Sequence, residues 1–482
     1  MILAIDVGTS TVKAGLFTES GRCAKALSAP VPQVASDDPV AHEIDPGAWI
    51  AALASLVPAL LAGSGAPACV ALSGNGPTLV PADAGGRPAG NAIAWMDRRA
   101  SAEAAEAAAA LGFRLDQGFR LPRSLWLARR RPADYARASS LLACPEYLAM
   151  VLTGEAATVV PAGYESYYGG GAEISALGLD PAKFPRLLRP GSVLGLSSEA
   201  GERATGLPCG LPVVLTGPDF LASIVGTATV RPGRACDRAG TSEGINLCAG
   251  RGIDEPRLLC VPHLVAPYAN VSGTVSTSGK AVDWFKRASG RASEGYEDFF
   301  EDVCQAAPGA GRLVFLPYLS GERSPIRDPS ARGVFLGLTL QHGRREMSRA
   351  VVEATAFAMR DIIEVMEEAG APVADLRVTG SPGRSPAWNQ IKADATGRPI
   401  ALPRCEEPEL QGDACVALAA IGRYASIAEA AEDIVRMGRV YEPDPSTRAL
   451  YDDLFGVYRA AYEALKPVFG RLESARTERS EP

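Results

Sequence analysis

Asp6 closes a continuous apolar run, Ile2 to Ile5, and is followed by Val7, Gly8, Thr9, Ser10, Thr11, Val12 and Lys13. Small residues in such a turn let backbone N–H groups approach an anion closely and form a phosphate-sized nest. Asp6 itself would repel phosphate, so its useful partner is a divalent cation, with magnesium carried in by a nucleotide as the natural choice. The other reading is an Asp that simply opens a tight turn.

A second copy of the pattern stands mid-chain, Asp237-Arg-Ala-Gly240-Thr241-Ser242-Glu-Gly244, ahead of the apolar run Ile245 to Cys248. Two acidic-Gly-Thr-Ser turns in strand context suggest two related lobes that offer two phosphate turns to one nucleotide, as in a bilobal phosphotransferase. Asp219 supplies a third element of that chemistry. It follows an apolar strand from Leu211 to Thr216 and precedes a small, apolar helix from Leu221 to Gly226, a placement suited to a general base. The plainer reading of Asp219 is an N-cap.

Two further strands run out into polar groups at the C-terminal end, where open α/β sheets place ligand contacts. Cys69 to Leu72 leads into Ser73-Gly74-Asn75-Gly76-Pro77, and Ile93 to Trp95 leads into Met96-Asp97-Arg98-Arg99. Leu376 to Val378 breaks into Thr379-Gly380-Ser381-Pro382-Gly383-Arg384 and then a helix at Trp388-Asn389-Gln390, a Gly-rich turn that feeds a helix N-terminus and suits base and phosphate. No G-x-G-x-x-G is present, and Gly273 to Gly279-Lys280-Ala281 misses the Walker spacing by one residue and lacks its Ser or Thr.

The elements that must position these residues begin with a meander, Val12 to Phe17 and Cys23 to Val31, which argues against a dinucleotide fold. A helix to about Leu61 is expected to start with Asp45 as N-cap and Pro46 in its first turn. Ser101 to Ala110, the segment around Leu121 to Arg131, and Leu141 to Leu152 read as a helical insert. The aromatic stretch Val160 to Gly171, with Tyr164, Glu165, Tyr167 and Tyr168, reads as packing in preference to a sugar platform. Glu346 to Glu368 carries the clearest helical stripe, and Gly412 is expected to open a last Ala-rich helix, Asp413 to Ile421. After Leu465 the chain turns charged and is expected to fray.

The 482 residues exceed one core, so two domains of roughly 200 residues or more are expected. The net charge of −7 excludes a general nucleic-acid binder, and the short run Arg129-Arg130-Arg131 reads as a solvated helix end. Ten scattered cysteines without a C-x-x-C pair read as reduced thiols, and three His make a zinc site unexpected. With no membrane-length apolar run and no basic leader before the first strand, the expectation is a cytoplasmic protein that stays off membranes.

Taken in order, Asp6-Val-Gly-Thr-Ser-Thr-Val-Lys13, Trp95-Met-Asp97-Arg-Arg99, Leu152-Thr-Gly-Glu155, Gly217-Pro-Asp219, Gly240-Thr-Ser242, Pro317-Tyr-Leu-Ser-Gly-Glu-Arg323, Arg332-Gly-Val-Phe-Leu-Gly337 and Thr379-Gly380 with Arg384-Ser385-Pro386 resemble the FGGY family of carbohydrate kinases. The resemblance spans roughly Met1 to Gly422. It implies an α/β fold of two ribonuclease-H-like lobes around a deep cleft, as in the actin, Hsp70 and hexokinase superfamily. Residues 1–235 would be the sugar-binding lobe, with the helical insert at about 100–155, and residues 236–482 the nucleotide-binding lobe. Carried over residue by residue, Asp6 would organise magnesium and Asp219 would be the catalytic base. Gly8, Thr9, Ser10, Thr11 and Lys13, with Gly240, Thr241 and Ser242, would face ATP phosphates, and Gly380, Gly383, Arg384 and Asn389 would line the nucleotide pocket. Asn75, Gly76, Asp97, Arg99 and Asp219 would bind the sugar.

Pro317 to Arg323 and Arg332 to Gly337 look closest to xylulose kinases, so the resemblance implies ATP-dependent phosphorylation of D-xylulose. Another pentulose, gluconate or a tetritol are the alternatives, as is a non-catalytic nucleotide or sugar sensor of the same fold. Family members are often homodimers, but no interface is marked in the sequence. Three stretches depart from the family pattern: Asn75-Gly76-Pro77-Thr78 at the sugar site, Ser381-Pro382 in place of consecutive glycines, and Val159 to Ser166 with Glu165.

Overall fold

The computed structural model describes residues 1–113 and 115–477. They form two compact units, one of Met1–Val230 with Pro262–Val265 and Cys405–Val435, the other of Arg231–Val261, Ala266–Arg404 and the chain from Arg436 onward.

The first unit is built on a six-stranded sheet in the order Ser192–Leu196, Pro212–Pro218, Cys69–Gly74, Ile2–Val7, Thr11–Phe17, Cys23–Pro30. Ile2–Val7 lies antiparallel to Thr11–Phe17 and parallel to Cys69–Gly74, so that Asp6 sits between Lys13 and Ser73. Its other residues are buried, as a strand covered on both faces requires. The helix Pro46–Leu61 begins as its sequence predicts, with the Asp45 carboxylate accepting from the Gly47 N–H, and it buries Trp49, Leu53 and Leu60 in one core with Leu3, Ile5 and Val7.

A second, five-stranded sheet in this unit runs Gln33–Val34, Glu43–Ile44, Ala92–Ile93, Leu79–Ala82, Ser140–Ala143. Leu141 and Leu142, expected in a helix, instead pair as an edge strand with Pro81 and Val80, and the helix begins only at Cys144. Pro145 explains the late start, because it suits the first turn of a helix and disfavours its interior. The aromatic stretch packs, with the Tyr167 ring 5.0 Å from Phe113 and 5.4 Å from Phe119.

The second unit repeats the first unit's strand plan. Ala269–Val275, Glu243–Ala249 and Arg234–Arg238 form an antiparallel meander, followed by Asp375–Thr379 and Ile400–Pro403 in parallel and Met437–Tyr441 antiparallel. The helix Arg344–Glu368 is core packing, with Val351, Ile362 and Met366 buried. The last helix spans Arg448–Thr477, so the expected fraying after Leu465 does not occur across the described residues, and residues 478–482 lie outside them. Among the described residues no helix is long and apolar enough to cross a membrane.

The segment Cys405–Val435, expected with residues 236–482, belongs to the first unit. Its helix runs Pro408–Ala420, four residues longer at its start than the Gly412 opening predicts. Gly412 is there for contact. A Cβ on Gly412 would lie 2.1 Å from the Ala222 carbonyl oxygen, and one on Gly226 would lie 1.8 Å from the Pro408 carbonyl oxygen. The helices Asp219–Gly226 and Pro408–Ala420 therefore cross backbone to backbone.

Gly412→Ala is expected to lower the urea midpoint of unfolding, by a cost of about 1–3 kcal/mol or more for forcing a methyl into packed backbone. Gly456→Ala, in the exposed middle of Arg448–Thr477 with open space around it, is expected to stabilise by about 0.5–1 kcal/mol. Equal and small effects at both sites would remove the close-crossing argument.

Candidate active site

Asp6, at the end of the central strand, meets acids contributed by two helices of the first unit, Asp219–Gly226 and Pro408–Ala420. Its desolvation by the surrounding protein, then the charges of Asp219 and Glu409, push its carboxyl up to about 7, against the opposing pull of Lys13. The Ser73 hydroxyl lies 3.5 Å from Asp6 and donates at 2.7 Å to Asp413, whose fully buried carboxyl is pushed well above the usual range by that burial. Lys13 pairs with Glu407 at 2.7 Å. A crowd of carboxylates with too few cations is a setting that favours a bound divalent ion.

The Gly8–Thr11 turn is pinned by its carbonyls. That of Gly8 accepts from the Trp49 indole at 3.1 Å, that of Thr9 from the Gln33 amide at 2.6 Å and that of Ser10 from the Val31 N–H at 2.8 Å. The Gly8 N–H is spent on the Thr11 carbonyl at 3.0 Å, so it does not serve as a phosphate donor in this conformation.

Asp219 stands in the first turn of its helix with Pro218 as N-cap, so it does not cap the helix itself. Gly76 packs directly against this strand end, since a Cβ there would lie 2.9 Å from the Pro218 ring. Asn75 closes its own turn, accepting from the Thr78 hydroxyl at 2.9 Å. The structure brings Asp97 and Arg99 together, chiefly on one another. Arg99 donates to Asp97 at 2.7 Å and to Glu43 at 2.7 Å and lies 4.4 Å above the Trp126 ring, while Asp97 also accepts from the His42 and Arg99 N–H groups.

In the second unit Gly240, Thr241, Ser381, Pro382 and Arg384 line a cavity of about 1150 Å³ with Tyr296 and Phe300 on another wall. Gly380 has φ +88°, and a Cβ there would lie 2.0 Å from the Ala239 carbonyl oxygen, so only glycine lets the two turns touch. Ser381-Pro382 resolves into a short 3-10 turn, Pro382–Arg384, and Ser385 then caps the helix Pro386–Thr396 through the Trp388 N–H. Asn389 is fully buried and donates at 2.7 Å to the Gly383 carbonyl, so it shapes the turn from behind.

Asp237 differs from Asp6. It is fully buried and bonded at 2.6 Å to Lys392, which reaches Glu243 at 2.7 Å, and Glu243 accepts from Ser278. Burial first, and then the neighbouring Glu243, push its carboxyl well above the usual range. The Gly279 N–H at the start of the next helix donates at 3.0 Å to the Gly240 carbonyl, so the near-Walker stretch braces this turn. Glu322, within Pro317 to Arg323, accepts from the Ser276 and Arg323 N–H groups at 2.7 Å each.

Sequence reasoning missed Ser73, Glu409, Asp413, Glu243 and Lys392. A signal existed for Lys392, which lies four residues after Trp388 on the same helix face and so needs a buried partner. Asp413 carried a similar signal, as an acid at the head of the apolar run Ala414 to Ala420.

Comparison with known proteins accounts for this arrangement. The N-terminal domain of the FGGY family of carbohydrate kinases matches residues 1–168, and the C-terminal domain of that family matches residues 238–421. A xylulose kinase of Staphylococcus epidermidis is 26% identical, over 98% of this chain and 98% of its own. An erythritol kinase of Brucella abortus is 29% identical, over 99% of this chain and 98% of its own. The crystal structure of xylulose kinase from Rhodospirillum rubrum superposes with a TM-score of 0.83 at 28% identity, covering 97% of this chain and 99% of that one. The chain, with its two sheets of matching plan and its glycine-rich turns at their strand ends, belongs to the FGGY family of carbohydrate kinases.

Proposed function

We propose that this kinase transfers the γ-phosphoryl group of ATP to the terminal hydroxyl of a small sugar, with D-xylulose as acceptor and D-xylulose 5-phosphate and ADP as products. The observation that carries the reading is Asp219, set at the end of a buried strand beside Gly76 and close enough to Asp6 to raise it. The acceptor preference draws on the xylulose kinases among the relatives. The erythritol kinase at 29% identity, with the departure at Asn75 to Thr78, favours a tetritol as the second reading.

In this reading Asn75, Gly76, Asp97 and Arg99 frame the sugar, and Asp219 orients the hydroxyl and accepts its proton as the oxygen–phosphorus bond forms and the bond to ADP breaks. Gly240 to Ser242, Gly380, Gly383, Arg384 and Asn389 shape the nucleotide cavity. Asp6 would hold magnesium, which when bound neutralises phosphoryl charge. Its crowding by acids fits a cation. Among the described residues no three ligating side chains converge, which suits an ion that takes its remaining oxygens from phosphate and water.

ADP release with MgATP against pentuloses, aldonates and polyols is expected to show one preferred acceptor. Asp219→Asn is expected to cut kcat by about 10²–10⁴-fold with sugar KM changed only a few-fold; retained turnover removes Asp219 from the base role. Asp6→Ala is expected to raise the magnesium concentration for half-maximal rate by about tenfold or more, and an unchanged magnesium curve counts against its assignment.

A further inference from the structure

Arg123, in the helix Arg120–Arg130, has a side chain with no exposed surface. A buried guanidinium is costly unless paired, and a carboxylate is its usual partner. Among the described residues no ion pair reaches Arg123. One terminal nitrogen donates to the Pro77 carbonyl and the other, at 2.5 Å, to the Trp95 carbonyl, while its Nε has no partner. Asp97 and Asp116 act on it only through space, and burial holds its pKa down to about 10. The fold thus keeps a charge buried to hold two main-chain oxygens.

Those oxygens belong to the two loops assigned to the sugar. Pro77 lies in the turn that Asn75 and Thr78 close, and Trp95 starts the stretch that reaches Asp97 and Arg99. Pro77 has no N–H, so its carbonyl is the turn's one main-chain handle at that residue. The strands that adjoin these loops pair at Leu79 and Ile93. Two residues beyond that pair on each side, among the described residues, Arg123 continues the link with a planar fork whose two donors have a fixed separation, which a Lys ammonium lacks.

We propose that Arg123 is a positioning residue for the sugar site, setting the spacing between the Asn75–Thr78 turn and the Trp95–Arg99 loop through their carbonyls. The proposal rests on the reading that these loops bind the sugar. It assigns acceptor affinity partly to a residue whose hydrogen bonds go to the loops themselves.

The test compares wild type, Arg123→Lys and Arg123→Ala by amide hydrogen exchange in both loops and by separate KM values for sugar and MgATP. In both variants exchange in residues 75–78 and 94–99 is expected to speed up by about tenfold, and sugar KM to rise by about tenfold, with the KM for MgATP within about twofold. Added guanidinium is expected to restore part of both losses in Arg123→Ala and none in Arg123→Lys, where the ammonium fills the space. Unchanged exchange in the two loops of the folded Lys variant overturns the proposal. Faster exchange with unchanged sugar KM leaves Arg123 holding the loops but overturns their assignment to the sugar, and with it the positioning role.

Discussion

The first unit depends on a crossing of two helices at glycine. Because Gly226 and Gly412 have no side chains, the backbones of Asp219–Gly226 and Pro408–Ala420 touch. That contact holds a segment from late in the chain against the strand ends of the opening sheet. Glu409 and Asp413 come with it, and they join Asp6, Asp219 and Ser73 in one acidic corner. The unusual ionisation of Asp6 is thus a product of packing between residues almost two hundred positions apart.

The second unit solves a similar geometric problem with charge. Its glycine turn at Gly240 rests over Asp237, Lys392, Glu243 and Ser278, all buried and bonded to one another. Two carboxylates around one ammonium are tolerable only if a proton or further donors offset the excess, and the raised Asp237 is how this corner does so. The same strand-turn plan therefore carries a partly exposed Asp in one unit and an Asp sealed as a post in the other. Sheet topology is shared, and the chemistry is set by what packs beneath each turn.

Most of the fold was legible because its signals are local. The apolar runs of Ile2 to Val7 and Leu376 to Val378, the Asp45-Pro46 cap and the stripe of Arg344–Glu368 each depend on neighbours in sequence. The edge strand Ser140–Ala143 was not, since Leu141 and Leu142 read equally as helix until Leu79–Ala82 is there to pair with them. Nor was the home of Cys405–Val435, which is decided by where Gly226 lies in space. At the site, Asp6, Asp219 and the glycine turns stood out by type and spacing, whereas Ser73, Asp413 and Lys392 gain meaning only from what they touch.

The glycine crossing also bears on how the protein is made. A ribosome releases the opening sheet and the Asp219 helix long before it reaches Pro408, so the face of that helix around Ala222 and Gly226 stays uncovered while most of the second sheet, up to Ile400–Pro403, is synthesised. Contacts of such long sequence separation form late and slowly. The first unit is therefore complete only once a strap encoded near the far end of the chain has been made, and its folding is tied to the synthesis of nearly the whole protein.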